Sequence, residues 1–266
     1  VPGYRKLLPL IRETLSHGII IAAQSQVDAD RFLALGANPA RTCVMGNIKF
    51  DVEADPAVLQ EGKDLRAELF GDRPVWIAAS THEGEEEIVL DVHRDLLVRH
   101  PDLLLVLVPR HPERFSPVRD LTVKRDFSLV ARTEGRPAGD ASVFLCDTMG
   151  EVPHFYAASD VAFVAGSLVP IGGHNLLEPA VLGLPIVAGP YNFNGQDIAD
   201  LFVDRGACRV VAGPEELVET VSELLSEREQ AASLGRAGQQ LLDENRGALE
   251  RLLVLLEPLL AAKASN

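Results

Sequence analysis

Short runs of consecutive apolar residues alternate with amphipathic stretches along most of the chain. Continuous apolar runs are typical of strands that are buried on both faces, and repeats of three and four residues are typical of helices. The pattern predicts strands at about 74–80, 103–111, 128–133, 142–148, 161–166, 185–190 and 207–213. It predicts a helix before them at about 56–70, and helices between them at about 81–101, 113–123, 151–159, 174–183 and 194–206.

Strands that alternate with helices of this length form βαβ units and a parallel sheet. We therefore predict an α/β domain with a Rossmann-like, doubly wound parallel sheet over about 52–213, followed by two or three helices up to about 262. Upstream of it, the pattern predicts a helix at about 4–16, a strand at 18–25, a helix at 25–37 and a strand at 41–51. Ser25 is the predicted cap of the second of these helices, and Gly36 its predicted end.

Composition and charge narrow the possible functions. The formal net charge of −14 argues against a general nucleic-acid-binding protein, because such proteins bind phosphates with clustered Lys and Arg. The apolar runs are shorter than the roughly 18 to 20 residues of a membrane span. The first residues lack both the pattern of a signal peptide and an initiator methionine, so we expect the sequence to begin inside a larger protein. Cys43, Cys146 and Cys208 have no metal-site or disulfide spacing, which favours buried thiols in a reducing cytoplasm.

Polar and glycine-containing corners follow four of the predicted strands, at residues 80–83, 109–112, 148–151 and 167–178. Ligands of doubly wound sheets bind in the crevice beyond the carboxyl ends of the strands. The carboxyl ends of parallel strands meet at one edge of the sheet, so we expect these corners to form one binding site.

The corner with the sequence GGHNLLEPA (172–180) carries more polar and glycine residues than a turn requires. Gly172 and Gly173 would let the backbone approach a ligand, and the amides at the start of the next helix suit a phosphate. Glu178 would accept hydrogen bonds from the hydroxyls of a ribose. The alternative is a capping box made by Asn175 and Glu178, which leaves both glycines and His174 unexplained. We favour the binding interpretation.

The other corners give weaker signals. Arg110 suits a phosphate, and its alternative is a surface ion pair. Met149 and Gly150 offer a place for a flat base, although a methionine is more often part of the core. His82 fits a capping or surface role as well as a functional one. The acids at 83–87 are interpreted as helix N-terminal residues without a catalytic role.

Several well-defined motifs are missing from the sequence. There is no G-x-G-x-x-G or G-x-x-x-x-G-K-[ST] motif, which disfavours dinucleotide dehydrogenases and P-loop NTPases. There is no G-x-S-x-G or H-E-x-x-H motif, and no His, Cys and Asp cluster has metal-ligand spacing.

Five segments together resemble the C-terminal half of bacterial 3-deoxy-D-manno-octulosonic acid (Kdo) transferases. They are GNIKFD (46–51), AASTHEGEEE (78–87), VPRHPERF (108–115), DTMGE (147–151) and GSLVPIGGHNLLEPA (166–180). The GGHN and EPA elements are common among glycosyltransferases of the two-domain GT-B fold, whereas IKFD with PRHPERF is more specific. The resemblance implies a remnant of the N-terminal acceptor domain over 1–46. It implies a CMP-sugar-binding Rossmann-like domain with C-terminal crossover helices over 47–266.

The resemblance also implies a reaction. Enzymes of this family transfer Kdo with inversion from CMP-Kdo to a lipid A precursor, lipid IVA, in lipopolysaccharide biosynthesis. The transfer takes place at the cytoplasmic face of the inner membrane of Gram-negative bacteria. CMP-Kdo is a substrate, and neither a metal nor another cofactor is expected. The implied partners are therefore CMP-Kdo or CMP, the acceptor through the N-terminal domain, and the membrane surface, with no nucleic acid.

The resemblance implies roles for individual residues. Arg110 and His111 would contact the CMP phosphate, and Lys49 would stabilise the charge on the leaving CMP. Met149, Gly150 and Glu151 would line the cytosine and ribose. The run from Asn175 through Leu176 and Leu177 to Glu178 would hold phosphate and ribose, with Glu178 on the hydroxyls. The implied donor-binding set is completed by Pro109, Gly172, Gly173 and His174.

The family's catalytic base and membrane-associating segment lie in the N-terminal domain, outside these residues. We therefore expect this chain to bind CMP weakly or moderately and to transfer nothing alone. One alternative is another GT-B enzyme, or an epimerase of the same fold, that uses a UDP-sugar. Another is a non-catalytic nucleotide-binding or interaction module. A preference for CMP over UMP or UDP separates the first interpretation from the second.

Overall fold

The computed structural model describes residues 8–264, and its contacts divide the chain into two compact units. One unit comprises residues 1–52 together with 242–266, and the other comprises residues 53–241. The predicted domain boundary after residue 46 lies close to the division between the units after residue 52. The contacts group residues 242–266 with the first unit, whereas the predicted second domain extends over them.

The first unit contains a small parallel sheet. Its elements are α1 (Leu8–Ser16), β1 (Ile21–Ala23), α2 (Gln26–Ala34) and β2 (Thr42–Val44). β1 and β2 pair in parallel, with Ile21 opposite Thr42. Ser25 caps α2, as predicted, by accepting a hydrogen bond from the amide of Asp28 at 3.1 Å. The predicted first helix includes residues 4–7, which lie outside the described residues.

The second unit contains the predicted parallel sheet. Its strands are β3 (Val75–Thr81), β4 (Leu104–Pro109), β5 (Leu129–Ala131), β6 (Val143–Leu145), β7 (Val161–Val164), β8 (Ile186–Ala188) and β9 (Arg209–Val210). Its helices are α3 (Pro56–Leu65), α4 (Glu85–Arg99), α5 (Phe115–Lys124), α6 (Val152–Ala157), α7 (Leu177–Val181), α8 (Gln196–Asp204) and α9 (Pro214–Ser226). α10 (Arg228–Asn245) spans the division between the units, and α11 (Ala248–Ala264) follows in the first unit.

The seven strands of this sheet are parallel, in the order β5-β6-β4-β3-β7-β8-β9. The chain leaves β3 for β4 on one side, and after β5 and β6 it returns to β7 on the other side of β3. The crevice at the carboxyl ends of β3 and β7 is therefore the topological switch point, where doubly wound sheets bind ligands.

Both faces of the sheet are buried, as the continuous apolar runs predict. Trp76 and Ala78 belong to one core cluster, and their neighbours Val75 and Ile77 belong to the other. Helix α9 contributes to the first cluster, where Leu217 and Val221 are fully buried. Burial on two faces leaves the strand ends and their loops as the places where polar side chains meet.

Two of the predicted helices begin later than the sequence pattern indicates. α4 begins at Glu85 instead of 81, because the chain turns sharply after β3: Ser80 has a φ of 64° and Gly84 a φ of 84°. α7 begins at Leu177 instead of 174, because Gly172 and Gly173 have φ values of 111° and 74°. Backbone in this left-handed region is incompatible with a right-handed helix.

The predicted strand at 41–51 is also shorter than expected. It ends at Val44, and a 3₁₀ turn at Ile48–Phe50 follows. The carboxylate of Asp51 accepts hydrogen bonds from the amides of Gly247 and Leu249, at 2.5 and 2.6 Å. These bonds satisfy donors at the start of α11.

Along residues 8–264, no helix combines the length and the apolar character that crossing a membrane requires.

Candidate functional site

The four polar corners lie along one edge of the large sheet. His82 follows β3, Arg110 follows β4, and the segments 148–151 and 166–178 follow β6 and β7. Because β6, β4, β3 and β7 are consecutive in the sheet, these corners are neighbours at the carboxyl ends of the strands. The structure thus brings together the corners that the sequence predicts to form one site.

Three imidazole rings meet at the switch point. The Nε2 atoms of His82 and His174 are 2.8 Å apart, and the two rings lie edge to edge and almost parallel, with an interplanar angle of 2° and centroids 5.0 Å apart. The ring of His111 lies edge-on to His82, with a centroid distance of 5.5 Å. Because the two Nε2 atoms share a hydrogen bond, one ring donates the proton and the other accepts it. The sequence left the role of His82 open, and the structure makes it part of this cluster.

Both histidines of the hydrogen-bonded pair favour their neutral forms. Burial, together with smaller contributions by repulsion from His82, Arg110 and His111, lowers the pKa of His174 to about 4. Burial also lowers the pKa of His82, with smaller contributions from His111, Arg110 and Arg114. A doubly protonated pair would place two N–H groups against each other. Near neutral pH the pair therefore acts as a hydrogen-bonded unit without charge.

Gly172 and Gly173 are required by the packing of the protein itself. Their amides donate to the carbonyl of Gly166 at 3.1 and 2.8 Å. A Cβ at Gly172 would lie 2.5 Å from the ring of Phe193, and one at Gly173 would lie 2.6 Å from Oδ1 of Asn192. These contacts with the loop after β8 give the two glycines a structural role that needs no ligand.

Asn175 and Glu178 form a local hydrogen-bonded pair that differs from a capping box. Oδ1 of Asn175 accepts from the amide of Leu177 at 3.1 Å, and its Nδ2 donates to Oε1 of Glu178 at 3.1 Å. The cap residue of α7 is Leu176, which is buried like Leu177. α7 has only five residues, so its dipole offers a phosphate less than the longer predicted helix would.

Arg110 and His111 are exposed beyond Pro109, the buried last residue of β4. The amide of Arg110 donates to the carbonyl of Thr81 at 3.0 Å, which fixes its backbone beside β3. Within residues 8–264 its guanidinium makes no ion pair, so the alternative of a surface ion pair is wrong. The guanidinium is available to an anionic ligand.

Met149 and Gly150 are exposed at the corner after β6, and Met149 is 57% accessible. The alternative that Met149 belongs to the core is therefore wrong. Glu151 accepts from Arg132 at 2.9 and 3.2 Å and from the hydroxyl of Thr148. Partial burial opposes its ionisation, but the hydrogen bonds from Thr148 and Arg132 keep the pKa of Glu151 below its ordinary value. Its carboxylate is thus ionised and already paired.

Two buried acids at the start of α4 were not identified as site residues from the sequence. Glu85 is fully buried and accepts hydrogen bonds from three backbone amides of the loop after β7. Glu86 is fully buried as well and pairs with Arg114 at 3.2 Å. A signal was present: Glu85 is four residues before Val89, whose side chain lies on the apolar face of α4.

Lys49 lies in the first unit, on the 3₁₀ turn after β2. Its amide donates to Oδ1 of Asn47 at 3.0 Å, and its side chain is exposed.

Cys146 and Cys208 are buried free thiols, as predicted, and burial raises their pKa to about 11 and about 12. Cys43 is half-buried. Among residues 8–264, no cluster of three or more His, Cys, Asp or Glu side chains has the geometry of a metal site.

Comparison with protein families gives two matches. A family model described as 3-deoxy-D-manno-octulosonic-acid transferase (kdotransferase) matches residues 1–52, and one described as glycosyl transferases group 1 matches residues 72–241. The chain is 43% identical over 259 residues to the 3-deoxy-D-manno-octulosonic acid transferase of Haemophilus influenzae, covering 97% of this chain and 61% of that protein. It is 33% identical over 252 residues to the enzyme of the same name from Bordetella pertussis, covering 93% and 58%. The chain therefore spans less than two thirds of the length of these relatives.

Solved structures agree with these matches. The crystal structure of the C-terminal CMP-Kdo binding domain of WaaA from Acinetobacter baumannii aligns with a TM-score of 0.68 and 35% identity, covering 71% of this chain and 99% of that one. Anabaena Alr3699/HepE, crystallised with UDP and glucose, aligns with a TM-score of 0.54 and 17% identity, covering 97% and 68%, and shows the shared fold alone. The predicted α/β, Rossmann-like fold is confirmed. The chain belongs to the 3-deoxy-D-manno-octulosonic acid transferase family, within the group 1 glycosyl transferases.

Proposed function

We propose that this chain is the donor-binding part of an inverting glycosyltransferase that moves Kdo from CMP-Kdo to a lipid A precursor such as lipid IVA. The observation that carries the proposal is the 35% identity to a CMP-Kdo binding domain over 99% of that domain's length. The position of the four polar corners at the switch point of the sheet supports it, since nucleotides bind there in this fold.

The exposed groups at the switch point match the parts of the donor. CMP-Kdo carries one phosphate, for which the unpaired guanidinium of Arg110 and the exposed ring of His111 are suitable partners. Met149 and Gly150 present an accessible apolar and backbone surface to the cytosine. The carboxylate of Glu178 keeps acceptor capacity beyond its bond to Asn175 and would receive the ribose hydroxyls.

The reaction breaks the bond between the anomeric carbon of Kdo and a phosphate oxygen, and CMP leaves with the bonding electron pair. Arg110 would contact this phosphate, and the family resemblance assigns to Lys49 the stabilisation of the negative charge that develops on the leaving CMP. The acceptor hydroxyl attacks the opposite face of the anomeric carbon, which inverts the configuration. It gives its proton to a general base that we place in the acceptor domain, outside these residues. We propose that the transfer takes place at the inner-membrane surface and requires no metal.

A transfer assay with the full-length enzyme that contains this chain tests the proposal. Kdo transfer to lipid IVA is expected from CMP-Kdo, but not from UDP-sugars, and it should persist when EDTA is present. Lys49→Ala should lower kcat by about 10²- to 10³-fold, the usual effect of losing one electrostatic stabiliser. Arg99→Ala, which changes an exposed residue at the far end of α4, is the matched control and should keep full activity. Transfer from a UDP-sugar in preference to CMP-Kdo would overturn the proposal.

A further inference from the structure

A buried carboxylate accepts hydrogen bonds from the amides at the start of the loop after β7. Oε2 of Glu85 accepts from the amide of Gly166 at 2.6 Å, and Oε1 accepts from the amides of Ser167 and Leu168 at 3.1 and 3.0 Å. The side chain is fully buried, and within residues 8–264 it pairs with no cation. Burial raises the pKa of Glu85, while the amides of Gly166, Leu168 and Ser167 oppose this rise.

A buried carboxylate without a cation is costly, and an apolar residue at this position would pack with less desolvation. What an apolar residue cannot do is accept hydrogen bonds from three consecutive amides. Glu85 therefore fixes the conformation of the peptide that begins the loop. This role differs from that of an ordinary acid at the N-terminus of a helix, which faces solvent.

Gly166 also makes hydrogen bonds with the donor-site corner. The amide of Gly166 donates to Glu85, and its carbonyl accepts from the amides of Gly172 and Gly173. The next residue is His174. One residue, Gly166, thus connects the buried carboxylate to the backbone that carries His174.

A second contact from the same segment holds the side chain of His174. His82, three residues before Glu85, shares the hydrogen bond of 2.8 Å with the ring of His174. Gly166 leaves room for this ring, because a Cβ there would lie 2.9 Å from Cδ2 of His174. His82, before α4, and Glu85, the first residue of α4, therefore hold the corner at two points, one on the ring and one on the backbone.

The backbone leading into this segment is strained. Ser80 has a φ of 64°, an uncommon value for a residue other than glycine, and the register of β3 against β4 shifts between Ala79 and Thr81. Strained residues of this kind persist where the surrounding structure requires a particular chain direction, and they concentrate at functional sites. Here the turn directs His82 and Glu85 towards the loop after β7.

We propose that Glu85 and His82 are positioning residues of the donor site, which hold the backbone and the ring of the 172–178 corner so that His174, Asn175 and Glu178 face the nucleotide. The identity of the ligand rests on the proposed function, whereas the positioning does not. α7, with five residues, is too short to fix this corner alone. The contacts of Glu85 with the backbone and of His82 with the ring fix the corner in place of a longer helix.

Calorimetric titration of the chain with CMP, paired with thermal unfolding, tests the proposal. Glu85→Gln puts an N–H group among three amide donors, and it should weaken CMP binding by about tenfold or more at a temperature where the variant is folded. Asp95→Asn, which changes an exposed carboxylate of α4 outside the four corners, is the control and should stay within about twofold of wild type. A merely structural role would lower the unfolding temperature of Glu85→Gln without changing the affinity of the folded protein.

His82 gives a second test that does not depend on the stability of Glu85 variants. His82→Ala should weaken CMP binding as Glu85→Gln does, whereas His82→Gln, whose amide can reach the position of Nε2, should restore most of the affinity. Equal affinity of His82→Ala and wild type would overturn the positioning role of His82. Equal affinity of Glu85→Gln and wild type would overturn that of Glu85.

An NMR titration of the His174 ring keeps this test separate from the proposed function, because it needs no ligand. In the wild type, the ring should titrate near the pKa of about 4 that burial and its neighbours impose, of which Arg110 is a cation and His82 and His111 are titratable. In His82→Ala and Glu85→Gln, the pKa should rise towards its ordinary value as water reaches the ring. An unchanged titration in both variants would overturn the inference, whereas absence of CMP binding by the wild type would overturn the proposed function.

Discussion

Gly173 and Asn192 lie in direct contact at the carboxyl edge of the sheet, where a Cβ on Gly173 would be 2.6 Å from Oδ1 of the asparagine. Asn192 is itself buried and donates through Nδ2 to the carbonyl of Gly189 at 2.7 Å. The contact joins the loop after β7 to the loop after β8. The second glycine of the GGHN sequence is thus explained by packing between two loops of the protein.

This contact predicts that Gly173→Ala destabilises the domain more than Gly150→Ala does. Both glycines have positive φ, at 74° and 84°, so both substitutions carry the strain of about 1–2 kcal/mol for a left-handed alanine. Only at Gly173 does the new Cβ also meet a neighbouring atom, since nothing lies within 4 Å of a Cβ at Gly150. Chemical denaturation should show an additional loss of about 1–3 kcal/mol for Gly173→Ala. Equal losses would mean that the loops separate without cost.

The proposed donor contacts predict a loss of binding without a loss of stability. Arg110→Ala and Glu178→Ala should each weaken CMP binding by about 1–3 kcal/mol, the range for losing a charge-assisted hydrogen bond. Arg110 is exposed and unpaired within residues 8–264, so its removal should leave the unfolding free energy almost unchanged. Arg99→Ala is the control for the loss of one positive charge. Unchanged CMP affinity in both site variants would contradict the assignment of the site.

A buried histidine in the core predicts how stability depends on pH. Nδ1 of His93 accepts from the indole of Trp76 at 3.2 Å, and Nε2 donates to the carbonyl of Ser142 at 2.8 Å, so the neutral ring is fully satisfied. Burial lowers the pKa of His93 from 6.5 to about 4, with Arg73 and Arg94 adding repulsion. The unfolded chain therefore binds a proton between these values and the folded protein does not.

Stability should accordingly fall as the pH decreases from about 6.5 to about 4, by about 3 kcal/mol for this group. His93→Gln should be less stable at pH 7 but should lose less stability over the same window. Urea denaturation at several pH values measures the difference. Glu85 and Glu86 titrate in both proteins, so comparison of the two curves isolates the histidine. Parallel curves below pH 6.5 would show that His93 is not responsible.

The sheet could be predicted from the sequence because its strands are buried on both faces. Runs such as PVWIAAS and LLLVLV are apolar at consecutive positions, and no amphipathic helix has this pattern. The order of the strands is not contained in such runs. It places β6 between β4 and β5, and it depends on how the chain packs as a whole.

The candidate site could be located from the sequence, but its internal contacts could not. The positions of the polar corners follow from the ends of the strands, which the sequence marks clearly. The hydrogen bond between His82 and His174 joins residues that are far apart in the chain, and periodicity carries no information about it. Glu85 belongs to a run of acids, and only the packing of α4 distinguishes the buried carboxylates from the exposed ones.

The central claim is that the four corners form one binding site for the nucleotide of a CMP-sugar. Calorimetric titration of this chain with CMP, and with UMP as the matched control, tests it most directly. We predict saturable binding of CMP with a clear preference over UMP, and loss of that binding in Arg110→Ala. Tighter binding of UMP, or no binding of either nucleotide, would contradict the account.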